Sequence, residues 1–472
     1  MNMEDITARR NEPWREELRK SMAAKDRTNI ARVVMPELDP AYRITCNEEV
    51  NQGLTEEQAL LEAKRCLDCP EPLCMTGCPV GINIPTFIKH IEKGEFLQAA
   101  STLKETSALP AVCGRVCPQE KQCESQCFYL KKLKKQPVAI GYLERFAADY
   151  SREHGTGEVP ACAPANGIKI AVVGSGPCGL SFAGDMVKYG YDVTVFEALH
   201  EIGGVLKYGI PEFRLPNKFV DVEIDTLRKM GVTFVTDCIV GKTITYDNLH
   251  EMGFKGVFVA SGAGLPRFMN IPGENLIGIM SCNEYLTRVN LMGAARKDWD
   301  TPVLSGKNVA VIGGGNTAMD SVRTARRLGA ERAMIIYRRS EEEMPARKEE
   351  VEHAKAEGVE FMTLPNPIEY IGDENGKVKT MRLQRMELGE PDESGRRSPV
   401  EIEGAIEDVP VDTVIVAVGV SPNPLIPNAI KELEISRRGT IVVNEETMQS
   451  CLPDLYAGGD IVRGGATVIL AM

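Results

Sequence analysis

Two glycine-rich turns constrain this chain more than any other feature of its sequence. Residues 168–198 read as an apolar strand, a glycine turn, a helix and a second apolar strand, and residues 307–339 repeat that order about 140 residues further along. In such βαβ units the turn lets backbone N–H groups approach a pyrophosphate at the start of the helix. Because the order occurs twice, we predict two dinucleotide-binding domains rather than two turns that only pack a helix on a sheet.

The first unit has an acidic strand end. Its second apolar strand ends at Glu197, about 20 residues after the turn. A carboxylate there accepts hydrogen bonds from ribose hydroxyls and repels a 2′-phosphate, so this unit is predicted to bind FAD or NAD rather than NADP. The turn itself consists of Gly174, Ser175, Gly176, Pro177, Cys178 and Gly179.

The second unit has a basic strand end, formed by Arg338 and Arg339, with no acid at that point. Guanidinium groups form charge-assisted hydrogen bonds with a 2′-phosphate, so this unit is predicted to bind NADP. Its turn consists of Gly313, Gly314, Gly315, Asn316, Thr317 and Ala318, and the fingerprint allows alanine at its third glycine position.

Residues 168–472 resemble the flavoproteins with two dinucleotide-binding domains, in which the NAD(P) domain is inserted into the FAD domain. The segments 201–204 (EIGG) and 459–460 (GD) resemble that family's flavin motifs. The resemblance implies that Asp460 bonds the ribityl and pyrophosphate part of FAD. The FAD site is then expected to comprise Gly174, Gly176, Pro177, Gly179, Glu197, Gly204, Leu206, Gly459, Asp460 and Thr467. Disulfide reduction is not expected, because the region has only isolated cysteines: Cys178, Cys238, Cys282 and Cys451.

The front of the chain is rich in cysteine. Eight of the fourteen cysteines lie between Cys66 and Cys127, and disulfides are rare in a cytoplasmic protein. The short Cys66–Cys69 spacing and the two Cys-Pro steps are typical of iron–sulfur ligands, and eight thiolates suffice for two four-iron clusters. Structural zinc, which usually pairs short knuckles across a spacer, and free thiols are the alternatives.

The whole chain resembles the small subunits of NADPH-dependent glutamate synthase. The N-terminal half of dihydropyrimidine dehydrogenase and the large subunit of NADH-dependent ferredoxin:NADP oxidoreductases look similar. The matching motifs are ALLEAKRCLDCPEPLCMTGCPVGINIP, ALPAVCGRVCPQEKQCESQC, YGIPEFRLP and VIGGGNTAMD. By this resemblance one [4Fe-4S] cluster is held by Cys66, Cys69, Cys74 and Cys127, and a second by Cys78, Cys117, Cys123 and Glu144. Cys113 has no ligand role in that pattern and is expected to be a packed thiol.

The resemblance implies a fold class and a domain order. The protein is expected to be α/β, with a helical N-terminal iron–sulfur domain followed by two Rossmann-like domains. The predicted boundaries are 1–150 for the iron–sulfur domain, 151–167 for a linker, 168–295 with 410–472 for the FAD domain and 296–409 for the inserted NADP domain. Residues 204–215 are expected to lie along the flavin, and residues 338–347 near the nicotinamide nucleotide. Lys207 and Arg214 are the charges of interest there, with an ordinary surface role as the alternative.

The implied function is a path for electrons. NADPH reduces FAD, and the iron–sulfur centres carry single electrons to a partner. Glutamate formation belongs to that partner, because the chain has no N-terminal cysteine and no room for an FMN-binding barrel of about 250 residues. The predicted partner is therefore a large amidotransferase and FMN-barrel subunit. A small ferredoxin-reductase-like flavoprotein, in a bifurcating oxidoreductase, is the alternative. A docking subunit with a degenerate flavin site is disfavoured by the intact glycines and by Glu197.

Composition narrows the class further. A formal charge of −12 argues against nucleic acid and hints that a partner's docking face is basic. No apolar stretch reaches the roughly 18 residues of a membrane span, and the charged start has no apolar core of a signal peptide, so the cytoplasm is the expected location. With five histidines, the chemistry is expected to rest on cofactors. A final helix from Ala466 to Met472 has barely two turns, which suggests a longer protein.

Overall fold

The structure, a computed structural model, describes residues 3–155, 157, 159–296 and 298–472. Its front part is helical. The helices there are α1 (Met3–Arg10), α2 (Pro13–Ser21), α3 (Ala24–Arg27), α4 (Pro40–Arg43), α5 (Glu56–Lys64), α6 (Leu73–Thr76), α7 (Ile84–Lys93), α8 (Phe96–Lys104), α9 (Pro110–Val116), α10 (Phe128–Lys131) and α11 (Ile140–His154). In the part of the chain that is described, no helix is long and apolar enough to cross a membrane.

Helices and strands alternate in the remainder. Up to residue 291 they are β1 (Lys169–Val173), α12 (Pro177–Lys188), β2 (Asp192–Phe196), α13 (Val205–Tyr208), α14 (Asn217–Met230), β3 (Thr233–Val235), α15 (Tyr246–Glu251), β4 (Phe254–Val259), β5 (Leu265–Pro266), β6 (Ile279–Ser281), α16 (Cys282–Leu286) and a π-helical turn (Thr287–Leu291). After it come β7 (Asn308–Ile312), α17 (Asn316–Arg327), β8 (Arg332–Tyr337), α18 (Lys348–Ala356), β9 (Glu360–Thr363), β10 (Pro365–Gly372), β11 (Val378–Pro391), β12 (Arg397–Pro410), β13 (Thr413–Val416), β14 (Val420–Ser421), α19 (Leu425–Ala429), β15 (Leu455–Ala457), α20 (Asp460–Arg463) and α21 (Val468–Ala471).

The first glycine turn follows the central strand of a five-stranded parallel sheet, at the edge formed by the carboxyl ends of the strands. The strand order is β15-β4-β1-β2-β3, so the chain leaves this sheet after β4 and returns to it only with β15. The strands are short apolar runs, as expected when helices cover both faces of a parallel sheet. The carboxyl ends of parallel strands meet at one edge. The turn after β1, Glu197 after β2 and Asp460 after β15 are therefore brought to the same edge.

The second glycine turn belongs to a separate parallel sheet, with the order β6-β13-β7-β8-β9. This sheet is built between the departure from the first sheet and the return to it, which confirms the predicted α/β class with one nucleotide domain inserted in the other. Two of its strands, β6 and β13, lie outside the predicted limits 296 and 409, since both pair in parallel inside the second sheet. The division of the chain into domains stays a prediction.

A three-stranded antiparallel sheet, β10-β11-β12, packs on the second parallel sheet and was not predicted. Apolar side chains of both sheets, among them Met334, Ile336, Met381 and Leu383, share one buried cluster. Its two long strands carry many charges and alternate imperfectly, which hides the strand pattern in the sequence.

The helical front part packs directly against the first parallel sheet's helices. Leu109, Val112 and Val116 of α9 share a buried cluster with residues of α12 and α14 and with Ile469 of the last helix. A second apolar cluster fills the interior of the helical part itself, between α5, α7, α8 and α11. The predicted linker begins later than expected, because α11 continues to His154. This packing places the cysteine-rich segments beside the predicted flavin domain.

Candidate cofactor sites

The first glycine turn is closed toward the protein and open toward the predicted flavin. Gly174 has φ +102°, and an added Cβ would lie 2.6 Å from the carbonyl oxygen of Ala260. At Gly179 an added Cβ would lie 2.0 Å from the carbonyl oxygen of Gly174. At Gly176, by contrast, it would meet no atom within 4 Å. The turn therefore leaves its middle glycine free for close approach of a pyrophosphate, and Pro177 begins the helix behind it.

Glu197 is hydrogen-bonded to this turn, and its carboxylate can still accept a further hydrogen bond. One carboxylate oxygen accepts hydrogen bonds from the Ser175 backbone N–H at 2.9 Å and from the Ser175 hydroxyl at 2.5 Å. The other accepts from the Leu199 N–H at 2.9 Å. An ionised carboxylate offers about four acceptor positions, so one remains for a ribose hydroxyl. The residue is otherwise buried.

Asp460 provides the strongest sign of a missing ligand at this edge. Its Oδ1 is buried and has no hydrogen-bond partner. Burial raises the pKa of this carboxyl to about 6. A buried acceptor without a donor is costly, and a ribityl hydroxyl would satisfy it. The residues present therefore fit the flavin that the sequence predicts.

The other predicted flavin residues line the same edge in different ways. Gly204 packs on the turn, since a Cβ added to it would lie 2.8 Å from Cα of Gly176. A Cβ at Gly459, which has φ +72°, would meet the Cβ of Cys178 at 2.8 Å. Thr467 caps the last helix by accepting from the Leu470 N–H at 3.4 Å. Leu206 is completely buried in the core, so only its backbone can face a ligand.

The second glycine turn repeats the same design. Gly313 has φ +138°, and an added Cβ would lie 2.3 Å from the Ala417 carbonyl oxygen. At Gly315 it would meet no atom within 4 Å, and the following Ala318 is completely buried in the core. Thr317 is exposed at the start of α17. Asn316 accepts a hydrogen bond from the Arg347 N–H at 2.9 Å, which holds the end of the segment 338–347 against the turn.

The two arginines at the end of β8 are not equivalent. Arg339 is buried, donates from Nε to the Arg397 carbonyl oxygen at 2.7 Å and forms an ion pair with Asp392 at 2.6 Å. It fastens the antiparallel sheet to the nucleotide turn. Arg338 is exposed and has no ion-pair partner among the described residues. Arg338 is therefore the guanidinium that is available to a 2′-phosphate.

Lys207 and Arg214 are largely buried side chains that form ion pairs, rather than surface residues. Lys207 contacts Asp221 at 2.5 Å. Arg214 contacts Asp320 at 2.7 Å and Glu350 at 3.2 Å, both carried by helices of the second sheet. Arg214 thus ties the segment expected along the flavin to the helix that follows the second glycine turn.

The predicted iron ligands of the first set are electrostatic neighbours of one another. Burial raises the pKa of the Cys69 thiol to about 12, and the neighbouring Cys66 and Cys127 thiols raise it further. The pKa of Cys74 is also raised well above its usual range by burial and by the same neighbours. Cys127 belongs to the second run of the sequence, yet it lies with the thiols of the first run. The crossed ligand pattern that the resemblance implied is therefore compatible with the structure.

The second set lines one pocket, whose walls include Cys78, Cys117, Cys123 and Glu144. Glu144 is 5% exposed, and its Oε1 has no hydrogen-bond partner. Burial alone raises the pKa of this carboxyl to about 8. A buried carboxylate beside three thiols and without a donor fits a fourth iron ligand far better than a solvated helix acid.

In the described ranges, no group of three thiols is gathered at the distances that a bound zinc ion requires. A tetrahedral zinc with Zn–S bonds of about 2.3 Å requires sulfurs about 3.8 Å apart. Within the described ranges, no three cysteines bring their sulfurs within 4.8 Å of one another. Cys113 is buried with its Sγ 3.7 Å from the sulfur of Met472, as expected for a packed thiol.

Comparisons with known proteins agree with these sites. Residues 43–156 match the family model "Dihydroprymidine dehydrogenase domain II, 4Fe-4S cluster", and residues 168–472 match "Pyridine nucleotide-disulphide oxidoreductase". The chain is 36% identical over 431 residues to the glutamate synthase [NADPH] small chain of Escherichia coli, covering 90% of each protein. The chain belongs to the glutamate synthase small-chain family. The corresponding protein of Azospirillum brasilense is 35% identical, over 93% of this chain and 91% of that one.

Two further comparisons concern a longer relative and a solved structure that shares only the fold. The beta subunit of an NADP(+)-dependent formate dehydrogenase from Moorella thermoacetica is 37% identical over 84% of this chain, but the chain spans only 58% of its length. The solved structure of Mycobacterium tuberculosis FprA in complex with NADPH superposes with a TM-score of 0.54 at 23% identity, over 65% of this chain and 81% of that one. That likeness shows the shared nucleotide-binding fold.

One connection between the sites of this protein could not be predicted from its sequence. Arg347 donates to the Arg115 carbonyl oxygen at 2.8 Å and to the side-chain oxygen of Gln119 at 3.0 Å. Gln119 lines the cavity of the second ligand set. Arg347 therefore joins the second nucleotide turn to the iron–sulfur region. The only signal was its place at the end of the segment 338–347, because a contact over more than 200 residues leaves no local pattern.

Proposed function

We propose that this chain is the electron-input subunit of a glutamate-synthase-type complex. It would take electrons from NADPH and deliver them singly to a partner subunit. The observation that supports this best is the 36% identity to a glutamate synthase small chain over nine-tenths of both proteins. The bound cofactors, NADPH, FAD and two [4Fe-4S] clusters, would supply the hydride and electron chemistry.

The protein's own part is to bind and place these groups. The open glycines Gly176 and Gly315 admit the two pyrophosphates, Asp460 receives the flavin, and Arg338 receives the 2′-phosphate. Two clusters are proposed because seven cysteines and Glu144 divide into two sets of four. Packing supports an order for the two sets. Ile469, from the segment that returns to the first parallel sheet, lines the pocket of the Glu144 set, so this set is proposed to lie nearer the flavin.

The proposed partner is the large amidotransferase and FMN-barrel subunit. The chain covers that family's small chains almost from end to end, which favours this partner. The second candidate function is that of an electron-input subunit in another complex. One example is the large subunit of a bifurcating NADH-dependent ferredoxin:NADP oxidoreductase, whose partner would be a small ferredoxin-reductase-like flavoprotein. The 37% identity to a formate dehydrogenase beta subunit supports keeping it, since that relative shares this region within a longer protein.

The experiment is an anaerobic titration of the reconstituted chain with NADPH and with NADH. We expect about eight irons per chain, two clusters of four, and flavin bleaching at much lower NADPH than NADH. The chain is then mixed with a glutamate synthase large subunit. NADPH oxidation that depends on glutamine and 2-oxoglutarate supports the proposal. Bleaching without such oxidation, together with activity on a small ferredoxin-reductase-like partner, would favour the second candidate.

A further inference from the structure

The surface next to the first thiol set is basic, although the chain as a whole is acidic. A run of four lysines, Lys131, Lys132, Lys134 and Lys135, follows Cys127 within a few residues, and all four are exposed. The formal charge of the whole chain is −12. The run is therefore a local exception to the charge of the molecule.

These lysines are held close to α10, the helix that follows Cys127. The Lys132 N–H donates to the Phe128 carbonyl oxygen at 2.9 Å, and the Lys135 N–H donates to the Tyr129 carbonyl oxygen at 3.0 Å. Tyr129 is buried, with its hydroxyl donating to the Arg65 carbonyl oxygen at 2.7 Å. The loop thus folds back on α10 instead of extending away from the thiols.

The run lacks an ion-pair partner among the residues that the structure describes. Lys135 donates to the Thr28 carbonyl oxygen, and within the described ranges none of the four lysines forms an ion pair. The only acid of residues 122–136 is Glu124, and it is buried and paired with Arg32 at 2.8 Å. Lysine runs usually form only a solvent-exposed surface. This run differs because exposed apolar side chains accompany it.

Exposed apolar side chains accompany the lysines in the same segment, and one more precedes a thiol of the same set. Leu73, Phe128, Leu130 and Leu133 are each between 37% and 42% exposed. Leu73 precedes Cys74 and Phe128 follows Cys127, and these two thiols belong to the same set. We call the four lysines and these four apolar residues the lysine patch. Exposed apolar side chains with a polar rim are typical of a protein interface.

The first thiol set has more partly exposed members than the second. Cys66, Cys69 and Cys74 are partly exposed and Cys127 is buried, whereas in the other set only Cys78 is partly exposed and Cys117, Cys123 and Glu144 are buried. Electrons that enter from the flavin side would therefore leave near the lysine patch.

We propose that the lysine patch is the docking surface for the electron-accepting partner, and that this partner presents an acidic, partly apolar face. The inference rests on the proposed function, because electrons leave here only if the first thiol set carries a cluster. It reverses the expectation drawn from net charge, which predicted a basic partner face. Charge at a docking surface acts mainly on the rate of encounter.

The test uses the reconstituted full chain and two small one-electron acceptors of opposite charge, hexacyanoferrate(III) and hexaammineruthenium(III). Each NADPH reduces two acceptor ions by one electron each and yields NADP⁺ and a proton. At low ionic strength, the variant Lys131→Glu/Lys132→Glu/Lys134→Glu is expected to reduce the anion about tenfold more slowly and the cation faster. Added salt should remove both effects.

The matched control reverses three exposed lysines elsewhere, Lys242→Glu/Lys255→Glu/Lys377→Glu, and should leave both rates within about twofold. Iron content and flavin bleaching by NADPH are measured on every variant. Loss of bleaching in the unmodified chain would refute the proposed function. Intact bleaching with equal effects of both triple variants, or with none, would overturn the docking proposal alone.

Discussion

Coenzyme selection rests on one of the two arginines that end β8. We predict that Arg338→Gln lowers kcat/KM for NADPH and leaves kcat/KM for NADH unchanged. A hydrogen bond to a charged group contributes about 1.5–3 kcal/mol, and the exposure of Arg338 places it near the lower figure. A loss of about 1.4 kcal/mol corresponds to about a tenfold fall in preference for NADPH over NADH.

The neighbouring residue provides the internal comparison. Arg339→Gln removes the contacts with Asp392 and the Arg397 carbonyl oxygen, so it should lower the midpoint of thermal unfolding and spare the NADPH to NADH ratio. The assay is the rate of anaerobic flavin bleaching at varied NADPH and NADH, with Arg437→Gln as an exposed control. If Arg339→Gln alone changed the ratio, or if Arg338→Gln slowed both coenzymes equally, the assignment of Arg338 to the 2′-phosphate would be refuted.

Three further predictions concern the other sites. Glu144→Gln should reduce the iron content and change the electron paramagnetic resonance spectrum of one cluster only. Glu153→Gln, on the exposed end of the same helix, should do neither. Two unaltered clusters in Glu144→Gln would contradict the role of Glu144 as a ligand. The Gly315→Ala variant should fold normally but bind both NADPH and NADH more weakly. The Gly313→Ala variant, whose Cβ would lie 2.3 Å from a carbonyl oxygen, should unfold at a lower temperature. Equal melting temperatures of the two variants would argue against the geometry of the turn. Glu223 is buried, and burial raises the pKa of its carboxyl from 4.5 to about 7. Its folded-state pKa exceeds the unfolded one, so the stability associated with it is lost as pH rises from about 4.5 to about 7, by about 3 kcal/mol in all. Glu223→Gln should remove that part of the pH dependence in denaturant titrations, and an unchanged pH profile would contradict the prediction.

The nucleotide turns and the cysteine runs could be predicted from the sequence because their chemistry is local. A glycine turn between two apolar strands needs its residues at fixed spacing, and the open glycines Gly176 and Gly315 occupy the predicted positions. Thiols that hold one cluster corner also lie a few residues apart along the chain. The carboxylate at Glu197 and the basic end of β8 were likewise visible as short-range patterns.

Tertiary structure decided what each charge does. Arg338 and Arg339 are adjacent in sequence, yet only packing against the unpredicted antiparallel sheet buries one and leaves the other exposed. Lys207 and Arg214 could not be distinguished from surface residues, because their partners, Asp221, Asp320 and Glu350, are distant in the chain or carried by another sheet. The net charge of −12 says nothing about the lysine patch, since electrostatic interaction with a partner depends on the charges near the contact and solvent screens the rest.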